Sequence, residues 1–246
     1  MAAGMVMELR PVLSSRPMLA ALALFLALDL GVLLIHAAHV LAEYQGLSVW
    51  VADPRFSIEN DEGYGERYEY VKTACCVLAL GGCWAATRQP LYVALAAIFT
   101  FVLMDNALQI HESVGHRAAA HLGAGEAVFE GAAQALGEVA VFAAAGLAAL
   151  ALFALAFRRS GLRHRRLGLA FLLLLLGLGG FGIGVDLLHA ALSGSRRLDR
   201  LFGFIEDGGE LVILSLAAAL AIALRARLAG GARREAAVPA APRRAD

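Results

Sequence analysis

The stretch "PMLAALALFLALDLGVLLIHAAHVLA", residues 17–42, decides the fold class. It carries one carboxylate, Asp29, and two imidazoles, His36 and His39, in an otherwise apolar run. About 20 consecutive apolar residues span a bilayer as a helix. The run does not alternate, so it is not a strand of a membrane barrel. Lipid offers no partner to open backbone groups, which leaves the helix. The run is also too long for the apolar core of a secretory signal, so a retained first span is expected. Five more spans follow at about 68–87, 90–117, 127–157, 167–192 and 201–224. The expected fold is all-α: a polytopic transmembrane helical bundle of six spans over residues 1–228. Residues 229–246, rich in Ala, Pro and Arg, are expected to form a disordered tail. The composition agrees, with 60% hydrophobic residues, where a soluble domain is nearer half.

The net charge is zero, yet it is unevenly spread. Twenty of the 21 cationic residues are Arg. They cluster before span one (Arg10, Arg16), after span two (Arg88), in "RRSGLRHRR" after span four, and after span six (Arg225, Arg227, Arg233, Arg234). In a six-span chain these places share one side. The opposite loops are acid-rich, as in "DPRFSIENDEGYGERYEY", and only "SGSRRLDR" dissents. The positive-inside rule then puts both termini in the cytoplasm of a multi-pass cell-membrane protein, a bacterial inner membrane being the expected location. The bilayer is the expected partner. No basic stripe interleaved with aromatics points to nucleic acid. Cys75, Cys76 and Cys83 lie in one apolar span without a CxxC motif, and read as small hydrophobes.

Polar residues gather in one half of the spans. "FVLMDNALQIHESVGH", residues 101–116, places Asp105, Gln109, Glu112 and His116 at four, three and four residue steps. On one continuous helix these share a face, with His111 off it. Asp29, His36 and Glu43 repeat the device, as do Glu130, Gln134 and Glu138, the pair Asp186 and His189, and the pair Glu206 and Glu210. Isolated carboxylates in hydrocarbon cost several kcal/mol, so such groups pair, bind an ion or line a wet cavity. Inward stripes around one outward-opening pocket satisfy that rule. Imidazoles and carboxylates at helical spacing also build divalent metal sites. The candidate ligands are His36, His39, His111, His116, Asp186, His189, Glu206 and Glu210, with zinc the first expectation and manganese or iron the next. Glu112 and Asp105 are the candidate catalytic carboxylates, Glu112 as general base on a metal-bound water. The structural alternatives are helix–helix hydrogen bonding for single His residues, solvation for Glu43, His121 and Glu126, and a helix N-terminus for Glu206 and Asp207. In "GLGGFGIG", Gly180 and Gly184 are expected to permit close helix packing.

The segments "MDNALQIHESVG", "FIEDGGELVILSL" and "FSIENDEGYGERYEYVK" resemble a group of uncharacterised bacterial multi-pass membrane proteins. That group has an acidic residue, then His-Glu and a Gly in one span, and a Glu-rich start to the last span. Asp105, His111, Glu112, Gly115, Glu206 and Glu210 are the matching residues, with Asp105-Asn106 where an acidic pair is common. The resemblance implies no activity. The architecture is distantly similar to alkaline-ceramidase-like membrane hydrolases, which implies no residue roles. Three functions compete. One is a metal-dependent hydrolase of a lipid or small amphipathic substrate. The second is a proton, ion or small-solute pathway through Asp29, Asp105 and Glu138, and the third a non-catalytic sensor or assembly partner. Polar residues thin out below Asp29 and Asp105, which favours a blind pocket over a pore.

Overall fold

The computed structural model describes residues 9–121, 127–185, 188, 192 and 196–236. Among these residues there are helices and turns and no strand. The helices are α1 (Arg16–Tyr44), α2 (Tyr64–Thr87), α3 (Pro90–Leu108), α4 (Ile110–His121), α5 (Ala127–Arg158), α6 (Leu162–Gly179) and α7 (Arg196–Ala236). Six are long and apolar enough to cross a membrane: α1, α2, α3, and the segments Gly137–Arg158, Leu162–Val185 and Leu198–Gly230. The chain is a multi-pass membrane protein.

Local sequence sets the helix ends. Ser15 caps α1, its hydroxyl accepting from the Met18 N–H at 3.3 Å, with Pro17 in the first turn. Arg88 ends α2 in the left-handed region at φ 54°. Pro90 then forces Gln89 extended and starts α3, a tight helical hairpin. At the same end Ser160 accepts from the Leu91 N–H at 3.2 Å, and the Gly161 N–H donates to the Gln89 side chain at 3.1 Å. The α2–α3 and α5–α6 connections are thereby tied together.

Span three is not the single helix expected over 90–117. It breaks at Gln109, which sits at φ 48°, ψ 47°. A non-glycine residue there stores roughly 1–3 kcal/mol of strain. The break falls where the apolar run ends, and the Asp105 carboxylate accepts from the His111 N–H at 3.2 Å, tying the start of α4 back to α3. The four-residue stripe Asp105, Gln109, Glu112, His116 therefore does not exist as one helical face.

Two other expectations also need correction. A Cβ added at Gly180 or Gly184 would meet nothing within 4 Å. The close approaches lie at Gly177, 3.2 Å from Ile213, at Gly182 against Glu210, and at Gly209 against the Phe181 ring. The cause is a switch from α6 to a π-helical turn over Gly180–Val185, which shifts the residues facing α7. Helix α7 also runs on to Ala236, into the stretch expected to be a tail.

Helix α7 is central. Of its most apolar window 56% is buried, against 17% for α1 and 11% for the membrane segment of α5. Ala217, Ala218, Ala219, Ala221 and Ala223 are all buried and let α2 and other neighbours approach closely. The apolar core joins these to Cys76, Leu80 and Cys83 of α2, Leu95 and Phe99 of α3, and Phe171 of α6. The cysteines are free and serve as packing groups, as expected. This core fills the half of the bundle nearer the Arg-rich connections. The other half holds the polar residues.

Candidate functional site

Two polar regions lie above that core. The deeper one is closed. Lys72 of α2 is 0% exposed and Asp29 of α1 is 2% exposed. The Lys72 Nζ donates to Asp29 Oδ1 at 3.0 Å, to the Leu211 carbonyl at 2.7 Å and to Ser215 Oγ at 3.4 Å. Ser215 in turn donates to Asp29 Oδ2 at 2.6 Å. The Tyr68 ring lies 4.3 Å from the ammonium, and its hydroxyl donates to the Phe25 carbonyl at 3.0 Å. Three ammonium protons thus find three acceptors, and the charges cancel. The cluster ties α1, α2 and α7 together.

One turn above Lys72 the environment changes. A cavity of about 840 Å³ opens between the helices. Glu66 and Glu69 of α2 supply one wall, and Glu206, Asp207 and Glu210 of α7 another. Asp105 and Asn106 of α3, His111 and Glu112 of α4, residues 58–61 of the α1–α2 loop, and Asp199 and Arg200 of α7 also line the polar side. The cavity continues into an apolar arm lined by Phe101, Phe142, Phe153, Leu172 and Leu175 of α3, α5 and α6. Helices α5 and α6 each pack on α3, and few contacts join them to each other, so the arm lies between two splayed helices. No Ser, Thr or Cys lines the cavity among the described residues.

The break at Gln109 builds a dyad. It turns His111 back so that its Nδ1 lies 3.1 Å from Asp105 Oδ2. That hydrogen bond, more than the neighbouring charges of Glu112 and Glu138, raises the His111 pKa above its ordinary value. The His111 Nε2 lies 3.8 Å from Glu112 Oε1, and its ring tilts over Phe142 at 4.7 Å. Burial, followed by the nearby Asp61, pushes the Glu112 carboxyl up.

The cavity therefore gathers Asp105, His111, Glu112, Glu206 and Glu210 from the expected site. Others go elsewhere. His36 and His39 are not among the cavity's lining residues and pin the α1–α2 loop instead. His36 Nδ1 accepts from the Ile58 N–H at 3.2 Å, and His39 Nδ1 is 2.8 Å from the Val51 carbonyl. His116 is exposed and does not line the cavity. Asp186 and His189 lie outside the described residues. Glu43 is exposed and pairs with Arg200 at 2.9 Å. Among the described residues no group of three or more His, Cys, Asp or Glu side chains is placed to hold a metal ion.

Sequence reasoning missed Glu69, Lys72 and Ser215. The signal was present: Lys72 is the sole lysine, three residues after Glu69, and Ser215 interrupts the apolar run of the last span.

Fold and site together define a multi-pass helical membrane protein with an acid-walled cavity inside its bundle. Residues 70–234 match the model of a family described as Domain of unknown function (DUF8692), and the chain belongs to that family. The matched segment holds the cavity walls from α3 to α7, while α1 and its loop precede it. No curated protein and no solved structure matches the chain.

Proposed function

We propose that the protein binds an amphipathic molecule taken from the membrane leaflet at the cavity end of the bundle. One observation carries this reading: polar walls and an apolar arm belong to one continuous cavity. Its volume lies within the roughly 300–1,000 Å³ of small-molecule sites. A headgroup fits among the carboxylates while a chain lies between α5 and α6. The Arg-rich connections at the other end support an outward-facing cavity, with both termini cytoplasmic. The closed Asp29–Lys72–Ser215 layer and the apolar core beneath it form a floor, which favours a binding or carrier site over an open pore.

A second reading is favoured by the Asp105–His111 pair. A histidine oriented by a buried carboxylate, with Glu112 beside it, is the arrangement a general acid–base uses. With no hydroxyl or thiol in the walls among the described residues, hydrolysis there would have to activate water.

The test uses purified protein in nanodiscs and three twelve-carbon amphipaths with ammonium, phosphocholine and phosphate heads. Calorimetric titration is expected to show saturable binding of at least one. Gly146 lines the cavity, and a Cβ there meets nothing within 4 Å, so Gly146→Phe narrows the arm without a backbone clash. It is expected to weaken binding about ten-fold or more while the melting temperature holds. No saturation by any of the three, or equal binding by Gly146→Phe, overturns the reading.

A further inference from the structure

We propose that the headgroup selected by this cavity is a cation, an alkylammonium seated against Glu69 and Glu210. This rests on the amphipath reading above. Glu69 is 7% exposed and lines the cavity, yet its carboxylate has no hydrogen bond or ion pair among the described residues. Asp207 and Glu210 face it from α7, also without a hydrogen bond or ion pair among the described residues. A buried carboxylate without a donor is costly, and it calls for a partner from outside the chain.

Among the described residues, the chain's own cations do not fill that role. Lys72 stands one turn from Glu69, but its three protons are spent on Asp29, Ser215 and the Leu211 carbonyl. Among the described residues, the basic residues in the cavity wall are His111 and Arg200. His111 is bound to Asp105, and Arg200 reaches out to Glu43. An ammonium group supplies what is missing, one positive charge with up to three donors in a small volume. The apolar arm that adjoins the acids explains why the cation would be organic, because a bare ion leaves Phe101, Phe142 and Phe153 without a purpose. Gly182 shows how closely the acid end is shaped: a Cβ there would push the Glu210 carboxylate aside.

The same titrations separate this inference from the one it rests on. Dodecylammonium is expected to bind about ten-fold or more tightly than the phosphocholine and phosphate analogues, as a charge-assisted contact in a desolvated site allows. Ethylammonium, which lacks the chain, is expected to bind too weakly to saturate. Glu69→Gln is expected to remove the preference for ammonium while leaving phosphocholine affinity within about two-fold, a neutral amide of the same shape replacing the charge. Should Glu69→Gln not yield folded protein, Glu210→Gln makes the same test. Equal affinity for the three heads, or tightest binding of the phosphate, overturns the cationic headgroup while leaving the amphipath site standing. Ethylammonium matching dodecylammonium overturns the alkyl chain's part in selection. Stoichiometric retention of zinc that displaces dodecylammonium also overturns the proposal, in favour of a metal at these acids.

Discussion

Glu69 and Lys72 stand one turn apart on α2, and they belong to opposite kinds of polar region. Around Lys72 every strong donor and acceptor is matched inside the chain, and charge sums to zero. Around Glu69 carboxylates converge on open space, and the nearby cations among the described residues, His111 and Arg200, are committed to other partners. A closed, neutral cluster in a membrane is an element of structure. An open, unbalanced one stores unfavourable electrostatics that a ligand can relieve. Buried polar residues thus divide into scaffold and site by whether the chain itself completes them.

The strongest way to break that division is to open the closed cluster. Lys72→Met leaves Asp29 as an uncompensated charge, and is expected to cost about 3–5 kcal/mol, read as a large fall in melting temperature in detergent. Adding Asp29→Asn is expected to recover much of that loss, a coupling that a double-mutant cycle measures. A Lys72→Met protein that melts like the wild type would place the ammonium outside the structural core and erase the contrast.

Packing around the cavity comes next. Gly209→Ala drives a methyl into the Phe181 ring, expected to cost roughly 1–3 kcal/mol. Gly182→Ala meets only the end of a flexible glutamate. Its stability is expected to stay within about 1 kcal/mol, while binding of amphipaths weakens because Glu210 is displaced. Equal destabilisation by the two would mean that the acid wall is as much scaffold as the ring contact.

A smaller effect is expected at the α3–α4 break. The folded protein raises the His111 pKa, first through the Asp105 hydrogen bond. Protonated His111 is therefore favoured in the fold. Its contribution is fully present below the unfolded value of about 6.5 and is lost as pH rises through the raised value. Thermal melts are expected to fall across that interval in the wild type, and the slope is expected to be shallower in His111→Gln, with Glu112, whose carboxyl is also pushed up, retaining part of it. A slope unchanged by the substitution would assign the titration to another group. Smallest of all is the exposed Arg200–Glu43 pair. Glu43→Gln is expected to change stability by about 0–1 kcal/mol, less at high salt, and a larger loss would make the pair a true clasp of the cavity rim.

The sequence by itself determined the six spans, the all-α class, the crowding of acids and imidazoles into one membrane half, and the role of the cysteines. Each follows from chain-local physics: hydropathy over about 20 residues, and the cost of charge in hydrocarbon. It also singled out Asp105, Glu112, Glu206 and Glu210, all of which line the cavity. What it could not determine is who faces whom. A one-residue departure to the left-handed region at Gln109 turned His111 from an off-face residue into the partner of Asp105. A π-turn moved the close glycines from 180 and 184 to 182 and 209. Asp29 looked like one more member of an inward stripe until α2 and α7 brought Lys72 and Ser215 to it. A helical spacing fixes which side chains share a face, but the rotation of each helix about its axis is set by packing against its neighbours. Only that packing decides which buried charges are neutralised within the chain and which are left for a ligand.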